Sequence, residues 1–192
     1  LSVSGDTIYA GWCSPGTGCN PATSSTTGAG FSSGVATNAG GTWHQVTGAL
    51  PNRYISAVAI DPTDATGMHV YAALGGFSRR WIDSAGVGHV FESADGGTTW
   101  TEIKGGGLPE TNKGRMEFAI AKSNPQIIYA MIEADTTPNP RPTAGARQQT
   151  RPSGLYRSND AGVTWARVAP QNVRPFYYSL VRVDTRDPER VY

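Results

Sequence analysis

An eight-residue phrase that occurs three times constrains this chain more than any other feature. Ser93-Ala94-Asp95-Gly96-Gly97-Thr98-Thr99-Trp100 and Ser158-Asn159-Asp160-Ala161-Gly162-Val163-Thr164-Trp165 both fit S-x-D-x-G-x-T-W. An earlier copy, Ala36-Thr37-Asn38-Ala39-Gly40-Gly41-Thr42-Trp43, keeps the Gly, Thr and Trp but has Ala for Ser and Asn for Asp. Such a phrase reads as a β-hairpin turn. Asp or Asn accepts hydrogen bonds from turn amides, and Gly takes the backbone conformation that other residues resist. Thr and Trp begin the returning strand, with the indole packed over the turn. Asn38, Trp43, Asp95, Trp100, Asp160 and Trp165 are therefore read as structural residues rather than ligand contacts.

Each phrase follows a short strand (GVA, HVFES, GLYRS) and precedes another (HQV, TEI, ARV). Upstream lies a second recurring pattern of strand, short Asp/Pro/Asn turn and strand, over 55–60 and 69–74, 116–121 and 127–132, and 178–183 and 190–192. One repeat is thus four strands, A to D, with the phrase at the C–D turn. Four antiparallel strands per repeat describe a propeller blade. A β-sandwich would not call for the same turn chemistry at the same point of every repeat. The expectation is an all-β propeller region over 1–192, with blade parts at about 1–47, 48–104, 108–169 and 174–192. The chain reads as starting and ending inside a blade, with strand B at 7–12 and again at 190–192. That gives three repeats of about 60 residues, whereas closed rings need at least ~4 blades. Further blades in cis, or a homo-oligomer in trans joined by strand edges, are expected to complete the ring.

Composition supports strands and turns over long helices: Gly (24) and Pro (13) are enriched, and charged residues make up only 16%. A net charge of +1 offers no basic patch for nucleic acid. No apolar run approaches the ~20 residues of a spanning helix, and Leu1 opens no signal-peptide pattern. Cys13 and Cys19, in CSPGTGC, suit a small disulfide-closed loop outside the reducing cytosol, two free thiols being the alternative. No second Cys or His pair follows at zinc spacing. His44, His69 and His89 stand alone, each a strand or turn residue, so neither a metal nor a cofactor is expected. Gly105-Gly106-Gly107 is a loop, since no helix pattern follows it.

The three phrases resemble the Asp-box (BNR) repeats of sialidases, xyloglucanases and sortilin-type receptors. With AIDP, IIYA and GLYRSNDAGVTW around them, the chain is similar to bacterial, glycosyl-hydrolase-like members of that superfamily. The resemblance implies a secreted or periplasmic propeller that binds, and in its enzyme members cleaves, an extracellular glycan. The alternative it leaves open is a sortilin-like or structural module for protein binding or self-assembly. Sialidases carry an Arg-Ile-Pro element, which is absent here, so sialidase activity is not expected.

Blade order assigns loops to rims. A–B and C–D turns share one rim; B–C and D–A connections share the other. The B–C connections are long, at about 12–33, 75–88 and 133–153, and long loops gathered on one rim are the usual way a rigid scaffold gains a site. Arg79, Arg80 and Trp81 lie in one such loop. The D–A connections bring Arg53 and Tyr54, Lys113 and Arg115, and Arg174 and Tyr177. Aromatic faces beside guanidinium groups suit sugars, whose C–H faces stack on rings while hydroxyls take charged partners. Glycoside hydrolysis needs two carboxyl groups flanking the bond; the candidates on this rim are Asp83, Glu117, Glu133 and Asp135.

Overall fold

The computed structural model describes residues 1–13, 33–51, 55–74, 89–110, 113–134, 152–170 and 180–192. These form twelve strands: β1 (Ser2–Ser4), β2 (Thr7–Cys13), β3 (Ser33–Thr37), β4 (His44–Gln45), β5 (Ile55–Ile60), β6 (Val70–Leu74), β7 (His89–Ser93), β8 (Thr101–Ile103), β9 (Lys113–Ile120), β10 (Ile128–Ala134), β11 (Gly154–Ser158) and β12 (Ala166–Ala169). Each consecutive group of four makes one antiparallel sheet in sequence order. The architecture is all-β, with the four-stranded antiparallel sheets of propeller blades.

The first sheet corrects one expectation. The chain does not open on strand B, because Ser2, Val3 and Ser4 pair with Tyr9, Ile8 and Thr7 as strand A. Ser2 Oγ also accepts the amide of Ile60 in the second sheet, at 2.9 Å. At the other end, Val183 and Val191 form an antiparallel bridge. Asp184 N donates to Arg190 O there, as Asp61 N does to His69 O and Ala121 N to Ile127 O. The A–B hairpin turn therefore recurs a third time at 184–190.

The sheets stack face to face through two side-chain layers. In the second sheet, Ala59, Tyr71, Ala73 and Val90 pack toward Met116, Phe118, Ile128, Ala130 and Ile132 of the third. The alternate residues Ile60, Val70, Ala72, Leu74 and Phe91 pack toward Tyr9 and Val35 of the first. Strand β6 is buried along its whole length, which is why Val-Tyr-Ala-Ala-Leu contains no charge. Period-two alternation assigns the two faces, and a middle blade must be apolar on both.

Two of the C–D turns repeat bond for bond. Ser93 Oγ accepts the buried amide of Gly97 at 2.8 Å and donates to Asp95 Oδ1 at 2.8 Å. Ser158 makes the same pair with Gly162 and Asp160 at the same distances. Asp95 Oδ1 accepts Thr99 N and its Oδ2 accepts the Thr99 hydroxyl; Asp160 treats Thr164 alike. Bonds from Thr99 hold the Asp95 carboxyl down to about 2, and those from Thr164 lower that of Asp160. Two C–D turns also lean on the A–B turn of their own sheet, Gly96 N on Met68 O and Ala161 N on Gln126 O, and in the first sheet Asn38 N donates to Ile8 O at the start of β2.

The three indoles differ, which corrects the uniform reading of the phrase. Trp165 is buried and donates to Gly162 O of its own turn. Trp100 instead reaches back to Val46 O, after the D strand of the preceding sheet. Trp43, with no preceding sheet among the described residues, is 55% exposed.

Candidate functional site

The described part of the B–C/D–A rim carries a cavity of about 410 Å³. It is assembled from the first residue of β7, the last residues of β8, the loop after β8 and the first residue of β9. Its lining includes His89, Glu102, Lys104, Leu108, Pro109 and Lys113. Gly105, Gly106 and Gly107 shape this loop. All three have positive φ, and the chain turns so closely past the next sheet that Trp165 N donates to Gly106 O at 2.5 Å. Leu108 then enters the core between the second and third sheets, leaving Pro109 and Glu110 above it.

Two polar systems face the cavity. Glu102 bonds the His89 ring through Nδ1 and the Lys104 ammonium at 2.8 Å. Burial acts to raise the Glu102 carboxyl, but Lys104 and His89 outweigh it and bring the group below its ordinary range. The second system is Lys113, only 9% exposed, whose Nζ donates to Pro109 O at 2.7 Å and more weakly to Glu110 O at 3.4 Å. Burial pushes its ammonium below the usual lysine range.

Three of the residues expected from sequence lie on β9 and β10, outside the lining of this cavity. Glu133, fully buried on β10, leans over the backbone of Gly114, where a Cβ would collide with the carboxylate. Its Oε2 accepts the amide of Arg115 at 3.3 Å, next to the irregularity that shifts the β9–β10 register between Ile132 and Ala134. Glu117 pairs across the strands with Met131. Burial raises its carboxyl above the ordinary range, against the opposing charges of Arg182, at 3.2 Å, and Arg115. Arg53, Tyr54, Arg79, Arg80, Trp81, Asp83, Asp135, Arg174 and Tyr177 lie outside the described residues, as does Cys19 and with it the Cys13–Cys19 pair.

His89 lies in β7 and His69 in the A–B turn, as expected, and each bonds a carboxylate. His89 is bound to Glu102. On the opposite rim His69 bridges Asp61 (Nδ1–Oδ2, 3.1 Å) and Glu92 (Nε2–Oε1, 2.7 Å). His69 also lies 4.9 Å from the Tyr71 ring, and Tyr71 donates its hydroxyl to Ala161 O of the third sheet. Burial opposes the charge on His69, but Glu92 and Asp61 together raise it above the ordinary imidazole range. These partners stand 8 and 23 residues away, beyond the reach of a local motif. Among the described residues, no group of three or more His, Cys, Asp or Glu could hold a metal ion. None of their helices is long and apolar enough to cross a membrane.

Comparison with known proteins finds sequence relatives and a structural neighbour. The chain is 34% identical over 141 residues to a xyloglucanase of Hypocrea jecorina, an alignment covering 71% of this chain and 13% of that protein. The relatives are xyloglucanases. A second, Xgh74A of Acetivibrio thermocellus, is 29% identical over 119 residues, or 59% of this chain and 12% of its own length. The chain thus spans about an eighth of the length of these relatives. The crystal structure of a GH74 xyloglucanase from Xanthomonas campestris superimposes with a TM-score of 0.52 at 18% identity, covering 84% of this chain and 23% of that one. That likeness is one of fold. No protein-family model matches the sequence.

Proposed function

We propose that this chain is part of a secreted Asp-box β-propeller that binds a xyloglucan-type polysaccharide through its B–C/D–A rim, within a polypeptide that cleaves it. The observation that carries the reading is the 34% identity over 141 residues to a xyloglucanase. The rim geometry agrees with it. The cavity beside Lys113 is of the size that small-molecule sites occupy, ~300–1,000 Å³, and it lies at the ends of β7, β8 and β9. The aromatic and Arg residues at Arg53, Tyr54, Arg79, Arg80, Trp81, Arg174 and Tyr177 are proposed as the sugar-stacking part of the same surface.

Hydrolysis would need a protonated carboxyl and a second carboxylate across the bond. Glu117, whose carboxyl is raised by burial, suits the acid role better than Glu133, which is fully buried and bonded to the amide of Arg115. Affinity electrophoresis in gels containing xyloglucan tests the binding, with galactomannan as the control polysaccharide. Retardation by xyloglucan alone is expected, and unchanged mobility in every gel would overturn the proposal. In the polypeptide that carries the chain, Glu117→Gln should lower reducing-end release while leaving retardation intact.

A further inference from the structure

We infer that the cavity at Lys113 is a subsite for a carboxylate-bearing sugar, a uronic-acid unit at a branch or end of the glycan, with Lys113 as its charge-recognising residue. The inference rests on the reading that this rim takes a glycan, and it starts from the lysine.

An ammonium as buried as Lys113 ordinarily has an anionic partner, because a buried charge left with neutral groups is costly. Here both acceptors are backbone carbonyls, at Pro109 and Glu110. Among the described residues no carboxylate stands within ion-pair distance of Nζ. Two acids share the cavity: Glu102 is already bonded to His89 and Lys104, and Glu110 acts on the ammonium from beyond ion-pair distance. An ammonium has three donors, so at least one remains after the two carbonyls.

The rest of the lining fits a pyranose better than a bare inorganic anion. Ile103, Leu108 and Pro109 offer apolar surface to a ring face, while the paired Glu102 and Lys104 keep further lone pairs and N–H donors for hydroxyls. A carboxylate on the sugar would complete the lysine's partners, and a neutral sugar of the same shape would leave the charge as it is. The arrangement therefore discriminates between the two.

Titration calorimetry and chemical-shift mapping of the whole chain test this with D-glucuronate and D-glucose as probes. A glucuronate-bearing oligosaccharide and its neutral counterpart separate a polymer-borne acid from a free one. Glucuronate is expected to bind at least tenfold more tightly than glucose, with shifts centred on Gly105, Leu108 and Lys113. Lys113→Met, which keeps the buried stem, should reduce that preference to near unity. Equal affinities for the two sugars, or a preference that survives Lys113→Met, would overturn the inference. Should Lys113→Met not fold, shifts in the unaltered protein that lie away from these three residues overturn it equally. Retardation by xyloglucan without glucuronate preference would sink this inference and spare the proposed function. Failure of every sugar would sink both.

Discussion

Replacing Ser158 by alanine tests the account of the repeated turn, because that hydroxyl does one thing that no neighbour can take over. Ser158 is 1% exposed, and its Oγ accepts the amide of Gly162 at 2.8 Å, a bond buried from water. The hydroxyl's other bonds, to Asp160 Oδ1 at 2.8 Å and from Asp160 N at 3.3 Å, lie partly in solvent, so water replaces them cheaply. Alanine would leave the Gly162 N–H buried without an acceptor, which costs about 1–3 kcal/mol. For a chain of this size each kcal/mol lowers Tm by about 2–4 °C, so a fall of roughly 4–8 °C is expected for the middle of that range. Circular dichroism melting gives the shift, and hydrogen exchange at Gly162 should accelerate with it. In the first turn Thr37 ends the strand where Ser93 and Ser158 end theirs, and by its φ the glycine in the place of Gly162 is Gly41 (+90 against +94), whose amide donates to Asn38 O instead. A Ser158→Ala variant with unchanged Tm and unchanged exchange at Gly162 would refute the assignment of this amide as the stabilised group.

Three further outcomes are expected. At Gly107 a Cβ would collide with the carbonyl oxygen of Trp165 at φ +101, whereas Gly105, at φ +68, has open space around it; urea unfolding should show Gly107→Ala costing about 2–6 kcal/mol from strain and overpacking together, and Gly105→Ala only about 1–2 from strain. His69, raised, adds stability that is complete below its unfolded value and lost as pH rises through the folded one, while Asp61, lowered, adds stability lost as pH falls; the Asp61–His69–Glu92 contribution should therefore peak between about pH 4 and 6.5, and His69→Gln should remove about 1–2 kcal/mol there and flatten the decline toward pH 8. Cys13 and Cys19 should resist alkylation until reduced, and mass spectrometry finding two reactive thiols in the unreduced protein would exclude the bridge.

Sequence made the fold legible where structure is local. The S-x-D-x-G-x-T-W phrase contains its own hydrogen-bond partners within four residues, so its turn could be read without knowing what surrounds it. Strand β1 could not be read that way. Ser2-Val3-Ser4 has one apolar residue, no alternation long enough to count, and is held by its pairing to β2 and by the Ser2 bond to Ile60. The three tryptophans show the same limit from the other side. One phrase gives a buried indole, one bonded to the preceding sheet and one 55% exposed, because what lies against the ring belongs to a neighbouring blade.

The candidate site divides along the same line. Arg79, Arg80, Trp81 and their like are conspicuous in sequence because loop composition announces them. The cavity beside Lys113 has no such signature. It exists because Leu108 drops into the core, the three glycines carry the loop past Trp165, and β9 begins where that loop ends. Lys113 becomes a buried cation only through this path, since its partners are carbonyls, and a carbonyl is the one group every residue possesses. A sequence pattern can therefore mark which side chains are able to bind a sugar, but the burial that turns one lysine into a selective charge is set by backbone geometry, and that geometry depends on glycines whose own side chains take no part in the site.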